Sequence, residues 1–319
     1  MKKLFAIALA LVMVLSLTAC AGGASQVHRL VMVTGGDAGT YYAFGGVIAN
    51  VLTENIENVE ITATTSGASA ANARSLHNKE ADLAILQNDV LAYAVNGTDS
   101  MAEDGAMPEL RAIASLYPEA VQLVATANSG IKTVQDLKGK KVCVGDAGSG
   151  SEVNAKQVLE ACGLSYDDFD VQYLSFSEAS TAMQNGTVDA AFNTSAMPNA
   201  AITELANYTD IVVVPIDGAS ADALIAKYPF YAKTTIIKDI YGTDSDVESV
   251  AMMAILACTA DLDADVAYNI TKQLFEQNQA LSAHVRGKDV TLESALDGVT
   301  VSFHDGALKY YQEKGINVG

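Results

Sequence analysis

The string Gly-Asp-Ala-Gly occurs twice, at Gly36-Asp37-Ala38-Gly39 and at Gly145-Asp146-Ala147-Gly148, each time between an apolar run and an amphipathic one. The chemistry this supports is anion capture. Glycines let backbone N–H groups approach a ligand closely, and a following helix adds unpaired first-turn amides and the positive end of its dipole, suited to a carboxylate or phosphate. Further polar groups gather in short stretches at 34–42, 65–72, 87–89, 146–151 and 193–198. They offer amides at Gly39, Gly67, Gly148 and Gly150, hydroxyls at Thr40, Ser66, Ser69, Ser149 and Ser151, and carboxamides at Asn72, Gln87 and Asn193, with Pro198 closing the last stretch. Tyr41 and Tyr42 add flat apolar surface with a polar tip; one is expected to face the core and the other the ligand. Ser69 and Ser151 suit helix N-caps equally well, a role compatible with ligand contact.

Residues for catalysis are harder to find. None of His28, His77, His284 and His304 accompanies the glycine loops, no His, Cys or acid spacing suits zinc, and neither a Gly-x-Ser-x-Gly nor a Gly-Lys-Ser/Thr string occurs. Asp37, Asp89 and Asp146 are the one carboxylate set an enzyme reading would use, and aspartate at a strand end ordinarily shapes a turn. The expectation is therefore binding without turnover, with no catalytic residue, metal or cofactor. Cys143, Cys162 and Cys258 are odd in number and widely spaced, which suits small core residues better than a disulfide framework.

The elements that must position these loops alternate. Apolar, β-branched runs near 28–34, 59–65 and 82–87 are each followed by helical spacing, and the pattern returns at 142–145, 171–174, 188–193 and 211–214. Such alternation means an α/β fold with a largely parallel sheet covered on both faces, and ligands at the carboxyl ends of its strands. Between the two series, 110–116 and 121–127 form a long extended run broken by Tyr117-Pro118-Glu119. The expected architecture is two-lobed with a ligand cleft: residues 28–117 plus 233–319 as one lobe and 118–232 as the other, with crossings at 117–119 and at 228–237. A chain of 319 residues, half of them hydrophobic, is long enough for two cores.

Met1-Lys2-Lys3, the apolar stretch 4–17 and Leu17-Thr18-Ala19-Cys20 read as a secretory signal peptide over 1–19. Small residues before Cys20 are similar to a lipobox, with Cys20 lipidated and 20–27 as a tether, so the expected location is extracytoplasmic and membrane-anchored. The formal net charge is −19, and removal of 1–19 takes away two lysines and no acid. A surface this acidic repels nucleic acid and anionic lipid. An anionic ligand must then rely on local dipoles, with only four arginines in reserve, at 29, 74, 111 and 286.

Six ordered motifs carry a resemblance: Gly35-Gly-Asp-Ala-Gly-Thr-Tyr-Tyr42, Thr65-Ser-Gly-Ala-Ser69 with Asn72, Glu80-Ala-Asp-Leu-Ala-Ile-Leu-Gln-Asn-Asp89, Leu116-Tyr-Pro-Glu119, Asp136-Leu-Lys-Gly-Lys140 and Gly145-Asp-Ala-Gly-Ser-Gly-Ser151. Across nearly all of the mature chain the sequence resembles TAXI-type substrate-binding proteins of tripartite ATP-independent periplasmic (TRAP) transporters. The resemblance implies a type II periplasmic-binding-protein-like fold with the ligand between the lobes; a monomer is expected. It also implies a small carboxylate ligand, a glutamate-like amino acid or a dicarboxylate, delivered to a TRAP membrane permease. Ala68 and Ala196 stand where that family more often has glycine, which tightens the pocket and bears on ligand choice. The alternatives are presentation of a ligand to an ABC importer or a sensor, and an enzyme on the same scaffold.

Overall fold

The computed structural model describes residues 27–318; the signal peptide, Cys20 and most of the tether lie outside the described residues. The first series runs β1 (His28–Val33), α1 (Thr40–Asn55), β2 (Val59–Thr64), α2 (Ser69–His77), β3 (Leu83–Gln87) and α3 (Asn88–Asn96). β1 lies parallel between β2 and β3, and every residue of β3 is buried, as a strand covered by helices on both faces requires. A long strand, β4 (Leu110–Thr126), leads to the second series: β5 (Lys141–Cys143), α4 (Gly150–Ala161), β6 (Asp170–Gln172), α5 (Phe176–Gln184), β7 (Ala190–Ser195), α6 (Ala200–Tyr208), β8 (Ile211–Val214), α7 (Gly218–Lys227) and β9 (Ala232–Ile236). The chain returns along β10 (Val247–Thr259) and ends in α8 (Ala264–Glu276), the short α9 (Asn278–Leu281) and α10 (Asp305–Glu313).

Local sequence accounts for the helix boundaries. α8 carries Val266, Ile270 and Leu274 on one buried face, and the Asp263 carboxylate caps it by accepting from the Asp265 and Val266 amides. α5 opens with a capping box between Ser175 and Glu178. α10 packs against α8 through Gly306, where a β-carbon would stand 2.3 Å from the Ala264 carbonyl oxygen.

All ten strands join one sheet, in the order β2-β1-β3-β10-β4-β7-β5-β6, with β8 on β4 and β9 on β10. β4 and β10 are antiparallel partners at its centre, and they belong to both halves. The late part of β10 pairs with β3 on one side and with the early part of β4 on the other; the late part of β4 pairs with β7 and β8, and the early part of β10 with β9. Their ladder contains register irregularities between Ala254 and Ile255 and between Leu256 and Ala257. Apolar cores flank each half. α1 and α8 cover one face of the first half and α2, α3 and α10 the other, while α4 and α7 are opposed by α5 and α6 in the second.

Two expectations change. The extended run is a single strand, Leu110–Thr126, and Pro118 sits within it opposite Met253 without ending the pairing. The return crossing is β10 itself, not residues 228–237: β9 pairs with Val247–Ala251, and Ile236, Tyr241 and Val247 pack with the second half's core. Helix α7 has no counterpart in the sequence reading, because it is alanine-rich and buries only Ala221 and Leu224, too weak a stripe to show periodicity.

Candidate functional site

A cavity lies where the two halves meet, walled by loops of both. Its wall is made largely of helix beginnings. Gly39 and Thr40 open α1, Ala68 and Ser69 open α2, Gln87 precedes α3, Ser149 and Gly150 open α4, and Ser175 and Phe176 open α5. The starts of α1, α2 and α3 have no side-chain cap, whereas Ser149 and Ser175 cap α4 and α5 by accepting from the Glu152 and Glu178 amides. Dipole ends from both halves therefore converge on one space, without a lysine, arginine or histidine in its lining.

The two Gly-Asp-Ala-Gly strings are not conformational copies. In the first, the Gly39 amide donates to the Gly36 carbonyl at 2.9 Å and α1 begins at the next residue. In the second, Gly145 and Gly148 take φ of +101° and +74°, and α4 starts only after Ser149. Of the residues singled out in the sequence, Gly39, Thr40, Tyr41, Ser69, Gln87, Ser149, Gly150 and Ser151 line the cavity. Tyr42 points to solvent at 39% exposure, so its partner Tyr41 is the ring that is both packed and cavity-facing.

The others stand outside the lining. Asn72 is a staple: its amide donates to the carbonyls of Thr34 (2.6 Å) and Ile85 (2.8 Å), and its oxygen accepts from Ser66, whose own oxygen accepts from the Ala68 amide. Those bonds use up the polar atoms of Ser66 and Asn72 in holding the loop ahead of α2; Gly67, between them, does not reach the cavity wall. Gly148 presents its carbonyl to the Ala70 amide, Asn193 lines a separate apolar cavity behind Phe176, and Pro198 lines a neighbouring one with Arg286. Arg74, the arginine nearest the loops in sequence, is held by Asp104 at 2.7 and 2.8 Å.

The lining also holds Glu119, Ser175 and Phe176, which the sequence reading did not choose, and Thr194 and Ser195, which lie in its stretch 193–198 but were not singled out. Glu119 had a visible signal: it is a lone acid inside an apolar run. It is 1% exposed and accepts a 2.6 Å hydrogen bond from the Tyr41 hydroxyl. Burial pushes its pKa up to about 8 against the lowering effect of that bond, with the Asp89 charge adding to the rise. Burial also raises Asp146, assisted by Glu178. Two buried polar atoms of lining residues, Gln87 Oε1 and Thr194 Oγ1, have no hydrogen-bond partner among the described residues.

Contacts bridge the halves all around the cavity. Ala70 N donates to Gly148 O at 3.2 Å, Asn154 Nδ2 to Asp89 Oδ2 at 3.2 Å, Gln157 Nε2 to the Tyr93 hydroxyl at 3.1 Å, and Asn199 Nδ2 to Ala38 O at 3.3 Å. Gly150 packs directly on Gln87, whose Oε1 would be 2.1 Å from a β-carbon there. Asp89 therefore belongs to the seam and not to the cavity, while Asp37 and Asp146 are in the lining. Among the described residues no cluster of His, Cys, Asp or Glu could hold a metal ion, and Cys143, Cys162 and Cys258 are free thiols.

A sheet traversed by two shared strands, with a cavity between its halves, defines the two-lobed type II periplasmic-binding-protein architecture. Solved structures of that architecture resemble the chain at low identity. The periplasmic aliphatic sulphonate binding protein SsuA of Escherichia coli has TM-score 0.52 at 16% identity, covering 90% of this chain and 83% of that one. The alkanesulfonate-binding SsuA of Xanthomonas axonopodis pv. citri, bound to MOPS, has 0.54 at 18%, covering 92% and 82%. A Prochlorococcus marinus protein in complex with methylphosphonate has 0.54 at 11%, covering 83% and 90%. The chain belongs to the NMT1-like family, whose profile matches residues 32–315. An Escherichia coli K12 protein named for binding aliphatic sulfonates is 29% identical over 161 residues, 47% of this chain, and the chain spans about half (48%) of that relative's length. The family and these relatives are substrate-binding proteins, not enzymes.

Proposed function

We propose that the protein is an extracytoplasmic solute receptor that closes two lobes on a small polar solute and delivers it to a membrane permease. The observation that carries this is the ring of helix beginnings from both halves around one cavity, because a ligand held by both halves favours the closed over the open arrangement. In this reading one lobe is 28–117 with the chain after about residue 253, the other is 118–252, and Cys20 carries a lipid anchor. Uncapped helix starts without a basic residue suit the carboxylate end of a ligand, in line with the amide-rich loops.

The permease is assigned to the TRAP class on the six ordered motifs shared with TAXI-type proteins. A second reading, delivery to an ABC importer, draws on the likeness to the sulfonate-binding relative. The first experiment is to refold residues 21–319 free of carried-over ligand and screen amino acids, dicarboxylates, keto acids, sulfonates and sugars by thermal shift and solution scattering. A solute that raises Tm by several degrees and compacts the particle supports the receptor; silence across the panel refutes it. Vesicles bearing the candidate permease separate the two readings, since ATP-independent uptake supports a TRAP system and strict ATP dependence an ABC system.

A further inference from the structure

The lining carries three acids, Asp37, Glu119 and Asp146, and no basic side chain. An acidic cluster alone says little, and here it meets a separate feature. Gln87 is a lining residue, 2% exposed, whose buried Oε1 packs on Gly150 and has no donor among the described residues. A buried acceptor left unpaired is destabilising, and a donor from the ligand removes that penalty. Glu119 repeats the pattern. A carboxylate offers about four acceptor sites, and among the described residues it receives one hydrogen bond, from Tyr41. The Tyr41 hydroxyl, committed as that donor, fixes the carboxyl group's orientation from α1 while β4 fixes its position.

We infer that the site selects a solute bearing a protonated amine and no net negative charge, with Glu119, oriented by Tyr41, and the Gln87 carboxamide oxygen as the acceptors for its ammonium group. This rests on the receptor reading and narrows it. A dicarboxylate or a simple sulfonate would set a further anion beside Asp37 and Asp146 and leave Glu119 without an ammonium to accept from, with no cation in the lining to compensate, a costly arrangement in a closed site. A zwitterion meets both halves of the electrostatics, its anionic end at the helix starts and its ammonium at the acids; a simple cation meets the second alone.

Binding then has a proton signature. Glu119 is flanked by Tyr41 of α1 and Tyr117 of its own strand, with Asp89 of α3 adding negative charge. With its pKa near 8, it is about nine-tenths protonated at pH 7, and an arriving ammonium ionises it. The test is calorimetry at pH 7 in two buffers of different ionisation enthalpy, with ethanolamine, L-alanine and L-glutamine as amine probes against succinate and ethanesulfonate. The expected result is binding of at least one amine probe with release of close to one proton, binding of neither anion, and an affinity loss of roughly 30-fold or more, with no proton release, in Glu119→Gln. Amine binding without proton release overturns Glu119 as the acceptor. Binding of succinate or ethanesulfonate in place of the amines overturns the ligand class while the receptor stands. Silence from all five, and from the broad panel, overturns both. The proton count on the unmodified protein decides the matter even where Glu119→Gln fails to fold.

Discussion

Asp89→Asn should make the protein more stable at neutral pH and remove part of its pH dependence. Asp89 is fully buried at the start of α3. Its oxygens accept from the Val90 amide (2.7 Å) and from Asn154 Nδ2 across the seam, and neither is a cation. Burial, the dominant influence, pushes its pKa from 3.8 up to about 7 against those two bonds. The native state thus holds a proton that the unfolded chain gives up near pH 4. The stability that this proton confers is complete below pH 4, falls between pH 4 and 7, and is absent above. A shift of about three units corresponds to roughly 4 kcal/mol as an upper bound. Asparagine keeps the shape, carries no charge, and has an N–H for Asn154 Oδ1, which is buried without a partner. Urea unfolding at pH 4.5, 6 and 8 should show the variant within about 1 kcal/mol of the parent at the lowest pH and more stable by about 2–4 kcal/mol at the highest. A variant no more stable than the parent at pH 8, with an unchanged pH slope, would refute the assignment of a proton to this seam.

Gly150→Ala places a methyl group on Gln87, so ligand affinity should drop by at least tenfold and scattering should show a more open particle. Pairing it with Gln87→Ala should restore closure if the clash is the cause. Gly306→Ala, which sets a β-carbon against the α8 backbone, should lower stability by about 2–4 kcal/mol in chemical denaturation and leave ligand affinity of the folded protein unchanged. Arg74→Ala breaks only a partly exposed pair with Asp104; it should cost about 1 kcal/mol or less, and a measured loss of ligand affinity would place Arg74 in the site after all.

Much of this was legible because the relevant loops announce themselves. Strand-loop-helix punctuation located β1, β3, β5 and the helices after them, and eight of the residues chosen from it line the cavity. Apart from α7, whose apolar stripe is too weak to show, the reading failed where the deciding contact is distant in sequence. Asn72 is polar and close to the glycine loop, yet Thr34 and Ile85 consume it. Glu119 sits in an apolar strand, and only the approach of Tyr41, 78 positions away, gives it a role. The return along β10 was not legible because β9 is short and largely exposed, and its pairing with the start of β10 cannot be read from either segment alone.

The shared pair of strands has a mechanical side. Loops that join domains swivel freely, but β4 and β10 pass between the lobes as one hydrogen-bonded ribbon whose backbone ladder is irregular only around Ala254–Ala257. Opening such a ribbon means twisting it, so the lobes behave as weights on a torsion spring with a restoring torque, softest where the ladder is irregular. Tyr117, opposite Ala254 at that soft point, lies two residues before Glu119. Glu119, the acceptor proposed for the solute, is therefore carried on that ribbon, so that in the proposed receptor a small rotation of the strand there changes both the grip on the ligand and the angle between the lobes.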